Sequence, residues 1–69
     1  MPQKIAIIGG SGFIGTALTQ YLHDHQPDAV ITLLDIAPSS TFPDLYEQLD
    51  VCDPPAVAKA LEGMDVVFI

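Results

Sequence analysis

Seven consecutive residues, Gly9-Gly10-Ser11-Gly12-Phe13-Ile14-Gly15, have the types and spacing of a binding device. Glycines fall at 10, 12 and 15 in one frame and at 9, 12 and 15 in another. A turn of this kind leaves a strand, presents backbone N–H groups and opens a helix. It can hold a pyrophosphate, because a helix N-terminus offers unpaired donors and the positive end of its dipole. Gly10 is expected to turn the chain with backbone angles barred to other residues. Gly12 is expected to keep side-chain atoms away from the phosphate, and Gly15 to let the helix pack closely on the sheet. Phe13 and Ile14 would take part through their backbone N–H groups. Asp35 completes the set, at the distance beyond Gly15 where an acid closing a second strand accepts hydrogen bonds from ribose hydroxyls. Such an acid repels a 2′-phosphate, and no arginine stands near it to receive one, so NAD is favoured over NADP. The alternative is that the glycines only make a tight turn and Asp35 only ends a strand.

The elements that must position these residues follow from hydrophobic patterning. Ile5-Ala6-Ile7-Ile8 predicts a buried strand over about residues 4–9. A helix over about 13–25 would place Ile14, Ala17, Leu18, Tyr21 and Leu22 on one face and stop near Gln26-Pro27. Val30-Ile31-Thr32-Leu33-Leu34-Asp35 reads as a second strand, and Ala37 to Pro43 as a loop. Residues 44–48 are ambiguous between loop and a single helical turn, and a short third strand is expected at 49–51. Asp53 is a good N-cap with Pro54 at the first helical position. The helix that follows, about 54–62, should bury Val57 and Leu61 and stop at Gly63. Met64 to Ile69 reads as the last strand.

Composition bounds the remaining choices. The 69 residues make one domain at most, with net charge −7 and Lys4 and Lys59 as the fixed cations. A nucleic-acid partner recognised by a basic surface is excluded by that charge. An anionic ligand would have to be held by backbone dipoles. The hydrophobic fraction of 49% suits strands covered on both faces. The apolar N-terminal stretch is far shorter than the roughly 20 residues of a membrane span, and no secretory signal is recognisable. With Cys52 as the single cysteine, a reducing, cytoplasmic setting is expected. No histidine or lysine adjoins Cys52 in sequence, so it reads as a small buried or edge side chain and not a nucleophile. His23 and His25 stand two residues apart, about 200° around a helix, and read as a solvated helix end and not as metal ligands.

The whole pattern resembles the N-terminal part of the NAD-dependent epimerase/dehydratase family, the extended short-chain dehydrogenases. Beyond the glycine motif and Leu34-Asp35, the likeness includes Leu49-Asp50-Val51-Cys52-Asp53, similar to the family's Asp-x-x-Asp segment beside the adenine. It also includes Ala60 to Phe68, which looks like the family's fourth strand and its approach. The resemblance implies an α/β fold: a partial Rossmann fold, with a parallel sheet of order 3-2-1-4 and helices on both faces. It implies that Asp50 bonds the adenine amino group and that Val51 packs on or bonds the ring edge. A turn-forming Asp50 and a merely buried Val51 are the alternatives.

In the family a catalytic Ser/Thr and a Tyr-x-x-x-Lys pair come much later in the chain. Tyr21 is followed four residues on by His25, and Tyr46 by Asp50, so neither has the lysine. The expectation is therefore an N-terminal NAD-binding half-domain over residues 1–69, binding the ADP part of NAD and not catalytic alone. It would be either a short protein or a fragment separated from the catalytic and substrate-binding parts. A third reading is a small interaction protein that keeps the fold without the cofactor. The family's strand order would leave one edge of Asp65 to Ile69 unpaired, and self-association there is expected.

Overall fold

A computed structural model describes residues 2–69. Strand β1 (Lys4–Ile8) lies at the centre of a four-stranded sheet, between β2 (Val30–Asp35) and β4 (Val66–Phe68). The third strand, β3 (Tyr46–Gln48), pairs with the outer side of β2, giving the order 3-2-1-4. All the pairings are parallel, with Ile5 opposite Ile31 on one side and opposite Val66 on the other. Helix α1 (Phe13–His25) links β1 to β2, and α2 (Pro54–Ala60) links β3 to β4. This is the partial Rossmann-like fold that the resemblance implied. The strand order reverses between β1 and β4, and the glycine loop leaves β1 at its carboxyl end beside that reversal, where open α/β sheets bind ligands.

Alternation along the strands builds two apolar layers. Ile5, Ile7, Ile31 and Leu33 face α1 and enclose Leu22, with Leu18 packed against them. Ala6, Leu34 and Leu49 face the other way and meet Ala56, Val57, Ala60 and Leu61 along and just beyond α2. Residues of β1 are thus covered on both faces, which is why its sequence is a continuous apolar run.

Several expectations shift in detail. The buried face of α1 is Gly15, Thr19 and Leu22, while Ile14, Ala17 and Tyr21 point to solvent. Gly15 is pressed onto the glycine loop, and that contact sets the rotation of the helix. Buried Thr19 fits because its hydroxyl donates to the Gly15 carbonyl at 2.7 Å. The third strand lies at 46–48 instead of 49–51, and the ambiguous stretch before it is a single 3₁₀ turn, Pro43–Leu45. Leu49 still donates to the Asp35 carbonyl at 3.0 Å, and the chain then turns away where Asp50 Oδ1 takes the Cys52 N–H at 2.9 Å, a local bond in place of a ladder bond. Helix α2 ends at Ala60, and Val57 and Leu61 are only half-buried. Strand β4 is limited to Val66–Phe68, the residues that pair with β1. Cys52 is exposed, not buried.

Asp53 does cap α2, accepting the Ala56 N–H at 3.4 Å, with Pro54 in the first turn. That bond is long, so Asp53→Ala should cost about 0.5–1 kcal/mol. Thermal unfolding should show a fall in Tm of a few degrees, and no fall would mean that Pro54 alone starts the helix.

Candidate functional site

The loop is tied at its first residue. The Gly9 N–H donates to the Leu34 carbonyl at 2.8 Å, so the turn is anchored to the end of β2. The left-handed conformation falls on Gly9, with φ +78°, and not on Gly10. Gly10 is required for space instead: a Cβ there would stand 2.9 Å from the Ile7 carbonyl oxygen and from Leu33. Gly15 is tighter still, because a Cβ would lie 2.6 Å from Gly10 Cα and 2.7 Å from the Gly9 oxygen. The helix therefore packs on the loop through Gly15, a closer constraint than the contact with the sheet that the spacing suggested.

Gly12 differs from all three. Its angles, φ −76° and ψ 179°, are open to any residue, and a Cβ would meet only the Gly9 oxygen at 3.5 Å. Nothing inside the protein requires glycine at 12; what its missing side chain leaves clear is the outer approach to α1. Gly12 is the N-cap and supplies no side-chain acceptor, and the first turn holds no acidic residue. The first ladder bond comes from Thr16 N–H to the Gly12 carbonyl, so Phe13 and Ile14 N–H groups have no earlier helical carbonyl to bond. Their side chains are 92% and 81% exposed, consistent with a backbone contribution alone.

Asp35 comes to the same place from the end of β2. Its Oδ2 accepts the Ser11 N–H at 3.1 Å, and its Oδ1 accepts the Ala37 N–H at 3.3 Å. The glycine loop and the acid, twenty-odd residues apart in sequence, are joined directly. Gly9, Asp35, Asp50 and Val51 then line one cavity of about 270 Å³, with Ile36 on its rim. That is slightly below the roughly 300–1,000 Å³ of complete small-molecule pockets, a size for one end of a dinucleotide. Asp50 does form a turn, but a carboxylate has further acceptor sites beyond its bond to Cys52. Val51 is exposed at the cavity and not merely buried. Gly12 and Phe13 line a neighbouring hollow with Ser11 and Thr16. Gly10 and Gly15 are buried, and neither they nor the exposed Ile14 border either cavity.

Two residues belong to this site that spacing did not disclose. Ser11 supplies the N–H that holds Asp35. Tyr46 sends its hydroxyl from β3 to the Asp35 carbonyl at 3.0 Å and to the Ile36 carbonyl at 3.3 Å. A larger hollow lined by Pro2, Gln3, Lys4, Gly63 and Asp65 lies at the opposite ends of the strands, away from the loop.

The family model for the NAD dependent epimerase/dehydratase family matches residues 5–69. The chain belongs to this family. It is similar to dTDP-glucose 4,6-dehydratase 1 of Escherichia coli (strain K12), 31% identical over 68 residues, 81% of this chain and 18% of that protein. It is also similar to the decarboxylating sterol-4-alpha-carboxylate 3-dehydrogenase ERG26 of Candida albicans (strain SC5314 / ATCC MYA-2876). There the identity is 44% over 36 residues, 52% of this chain and 10% of that protein. The chain thus spans a small part of the length of both relatives. No solved structure matches it.

A nicotinamide dinucleotide, the cofactor class of an NAD-dependent family, can be tested against the site itself. Three features of the epimerase/dehydratase segment fit its ADP half. The loop is shaped by glycines that a Cβ would displace, yet Gly12 faces outward with room to spare. The helix start carries donors and no competing acid. Ser11 Oγ is a buried side-chain oxygen without a hydrogen-bond partner, inside the same loop. Among the described residues no group of three or more His, Cys, Asp or Glu could hold a metal ion, and no helix is long and apolar enough to cross a membrane.

Proposed function

We propose that residues 1–69 are the N-terminal NAD-binding half of a Rossmann domain, holding the ADP part of the cofactor. One observation carries this reading: the Asp35 carboxylate is bonded to the Ser11 N–H of the glycine loop. A phosphate cradle and a ribose acceptor therefore share one rim. Placement supports the following roles. Gly9, Gly10 and Gly15 shape the loop, and Gly12 leaves the approach open. Phe13 and Ile14 N–H groups meet the pyrophosphate, Asp35 accepts from the adenosine ribose, and Asp50 and Val51 border the adenine.

When bound, NAD exchanges a hydride at nicotinamide C4. This chain's residues would bind and orient it, not move the substrate proton. Tyr21 stacks on His25 with ring centroids 4.0 Å apart, and the Tyr46 hydroxyl is engaged with backbone carbonyls. Neither tyrosine has a lysine one helical turn away. The relatives support a cofactor role over a substrate role. One is named for dTDP-glucose and the other for a sterol carboxylate, and a stretch similar to both suits what dissimilar substrates share. The exposed lone thiol of Cys52 supports a reducing setting such as the cytoplasm.

Titration by NMR tests the reading, with NAD, NADP and the Asp35→Ala variant. The unmodified chain should bind NAD weakly and prefer it to NADP by about tenfold or more, since a 2′-phosphate brings nearly two charges against a carboxylate. Asp35→Ala should bring the two affinities within about threefold of each other. No response to millimolar NAD by the folded chain would overturn the reading, and equal affinities in the unmodified chain would show that Asp35 does not face the ribose.

A second reading is assembly. Among the described residues strand β4 has one hydrogen-bonded neighbour, β1, which leaves its other edge unpaired, and its Val67 and Phe68 are each 37% exposed. Pairing of that edge with a second copy is compatible with NAD binding at the loop.

A further inference from the structure

We infer that Tyr46 is a positioning residue for cofactor choice, holding the Asp35 carboxylate in the orientation that receives the ribose. The inference rests on the proposed NAD site and adds a residue that neither the glycine motif nor the family's acid includes. Its basis is a single peptide unit. The Ile36 carbonyl and the Ala37 N–H belong to the same planar group, so fixing one end fixes the other. The Tyr46 hydroxyl holds the carbonyl end at 3.3 Å, and the N–H end donates to Asp35 Oδ1 at 3.3 Å. The hydroxyl's single proton is shared with the Asp35 carbonyl at 3.0 Å, which also accepts the Leu49 N–H at 3.0 Å, so one three-centre bond pins both carbonyls at the end of β2.

Asp35 is thereby held from two sides. Ser11 of the loop fixes Oδ2, and the Ala37 peptide fixes Oδ1. Of these two supports, the second depends on a side chain. Without the hydroxyl, the Ile36–Ala37 peptide can rotate, and Oδ1 loses a donor of fixed direction. A carboxylate that selects ribose hydroxyls must present its lone pairs at a set angle, because hydrogen bonds weaken steeply as they bend. The expected consequence is narrower than a general weakening: NAD affinity falls and NADP affinity stays.

Tyr46→Phe removes the hydroxyl and keeps the ring. In the free variant, hydrogen exchange at the Ala37 amide should quicken several-fold, while amides of β1 keep their protection. In titrations NAD should bind about threefold more weakly, with NADP unchanged, so the preference narrows. In the Asp35→Ala background the same change should leave the preference where it is, because Tyr46 acts through Asp35. Equal losses for both cofactors, an unaltered Ala37 amide, or loss of the fold in Tyr46→Phe would each give the hydroxyl a merely structural role and overturn the inference. An unmodified chain silent toward NAD, with Ala37 exchange still quickened in the variant, would defeat the NAD reading and leave the clamp standing.

Discussion

Gly15→Ala is expected to remove both the fold's stability margin and the nucleotide site, while Gly12→Val removes only the site. The added methyl at 15 would stand 2.6 Å from Gly10 Cα, 2.7 Å from the Gly9 oxygen and 2.9 Å from the Gly10 carbonyl carbon. These are backbone atoms, and they have no rotamer to change. Gly9 cannot retreat without breaking its 2.8 Å bond to Leu34, and Gly10 has backbone and Leu33 close behind it. Helix α1 must then lift, which disturbs Leu22 and Leu18 against the sheet. Overpacking of this kind costs about 1–3 kcal/mol and occasionally more. A chain this short has a total stability of about 3–10 kcal/mol. Circular dichroism should record a fall in Tm of about 10 °C or more, or no cooperative transition.

At position 12 the backbone angles suit valine, and the space inside holds a Cβ at 3.5 Å from the Gly9 oxygen. Gly12→Val should therefore fold with a Tm within a few degrees of the parent and yet show no NAD response. The pair separates a glycine needed by the protein from a glycine needed by the ligand. A stable, NAD-binding Gly15→Ala would show that the loop adapts, and full NAD binding by Gly12→Val would remove the pyrophosphate from the helix start.

The difference between those glycines marks how far sequence could be read. Motif and context give the strand, the loop, the helix and the acid, because backbone geometry recurs wherever this device is built. The assignment of tasks within the loop is not local. Positive φ belongs to Gly9 because the loop is tied there to Leu34, and Gly10 is small because Leu33 crosses behind it. Both causes lie on β2. The rotation of α1 is non-local for a related reason: Ile14, Ala17 and Tyr21 have helical spacing with Leu18, but Gly15 decides which side meets the sheet. Hydrophobic periodicity ranks faces by apolar bulk, so a face built on Gly15 and a self-satisfied Thr19 is invisible to it. Tyr46 is hidden more deeply. Its partners are carbonyls at the end of the neighbouring strand, and only the register of β3 against β2, Tyr46 opposite Leu33, brings it there.

The largest effect expected in solution comes from β4. Val66, Val67 and Phe68 pair with Ile5, Ala6 and Ile7 on one side, and among the described residues no strand lies on the other side. From Val66 to Ile69 the edge carries no charged side chain and no proline, the features that discourage strand addition. Ile69 is fully exposed, and Val67 and Phe68 are each 37% exposed. Two copies related by a twofold axis could join these edges into one continuous sheet. New backbone hydrogen bonds along the joined edges and burial of Ile69 in both copies would drive the pairing, against the cost of association and the shortness of β4. Light scattering should record a dimer at micromolar concentration, with a Tm that rises with protein concentration. Val67→Lys puts a charge on the pairing strand and should return the chain to a monomer of lower Tm. NAD titration of the two forms then distinguishes edge pairing from a rearrangement of the loop, since the glycine turn and Asp35 lie at the strand ends and not along β4. A monomer that unfolds cooperatively at a concentration-independent temperature would overturn the prediction and show that the two apolar layers suffice alone.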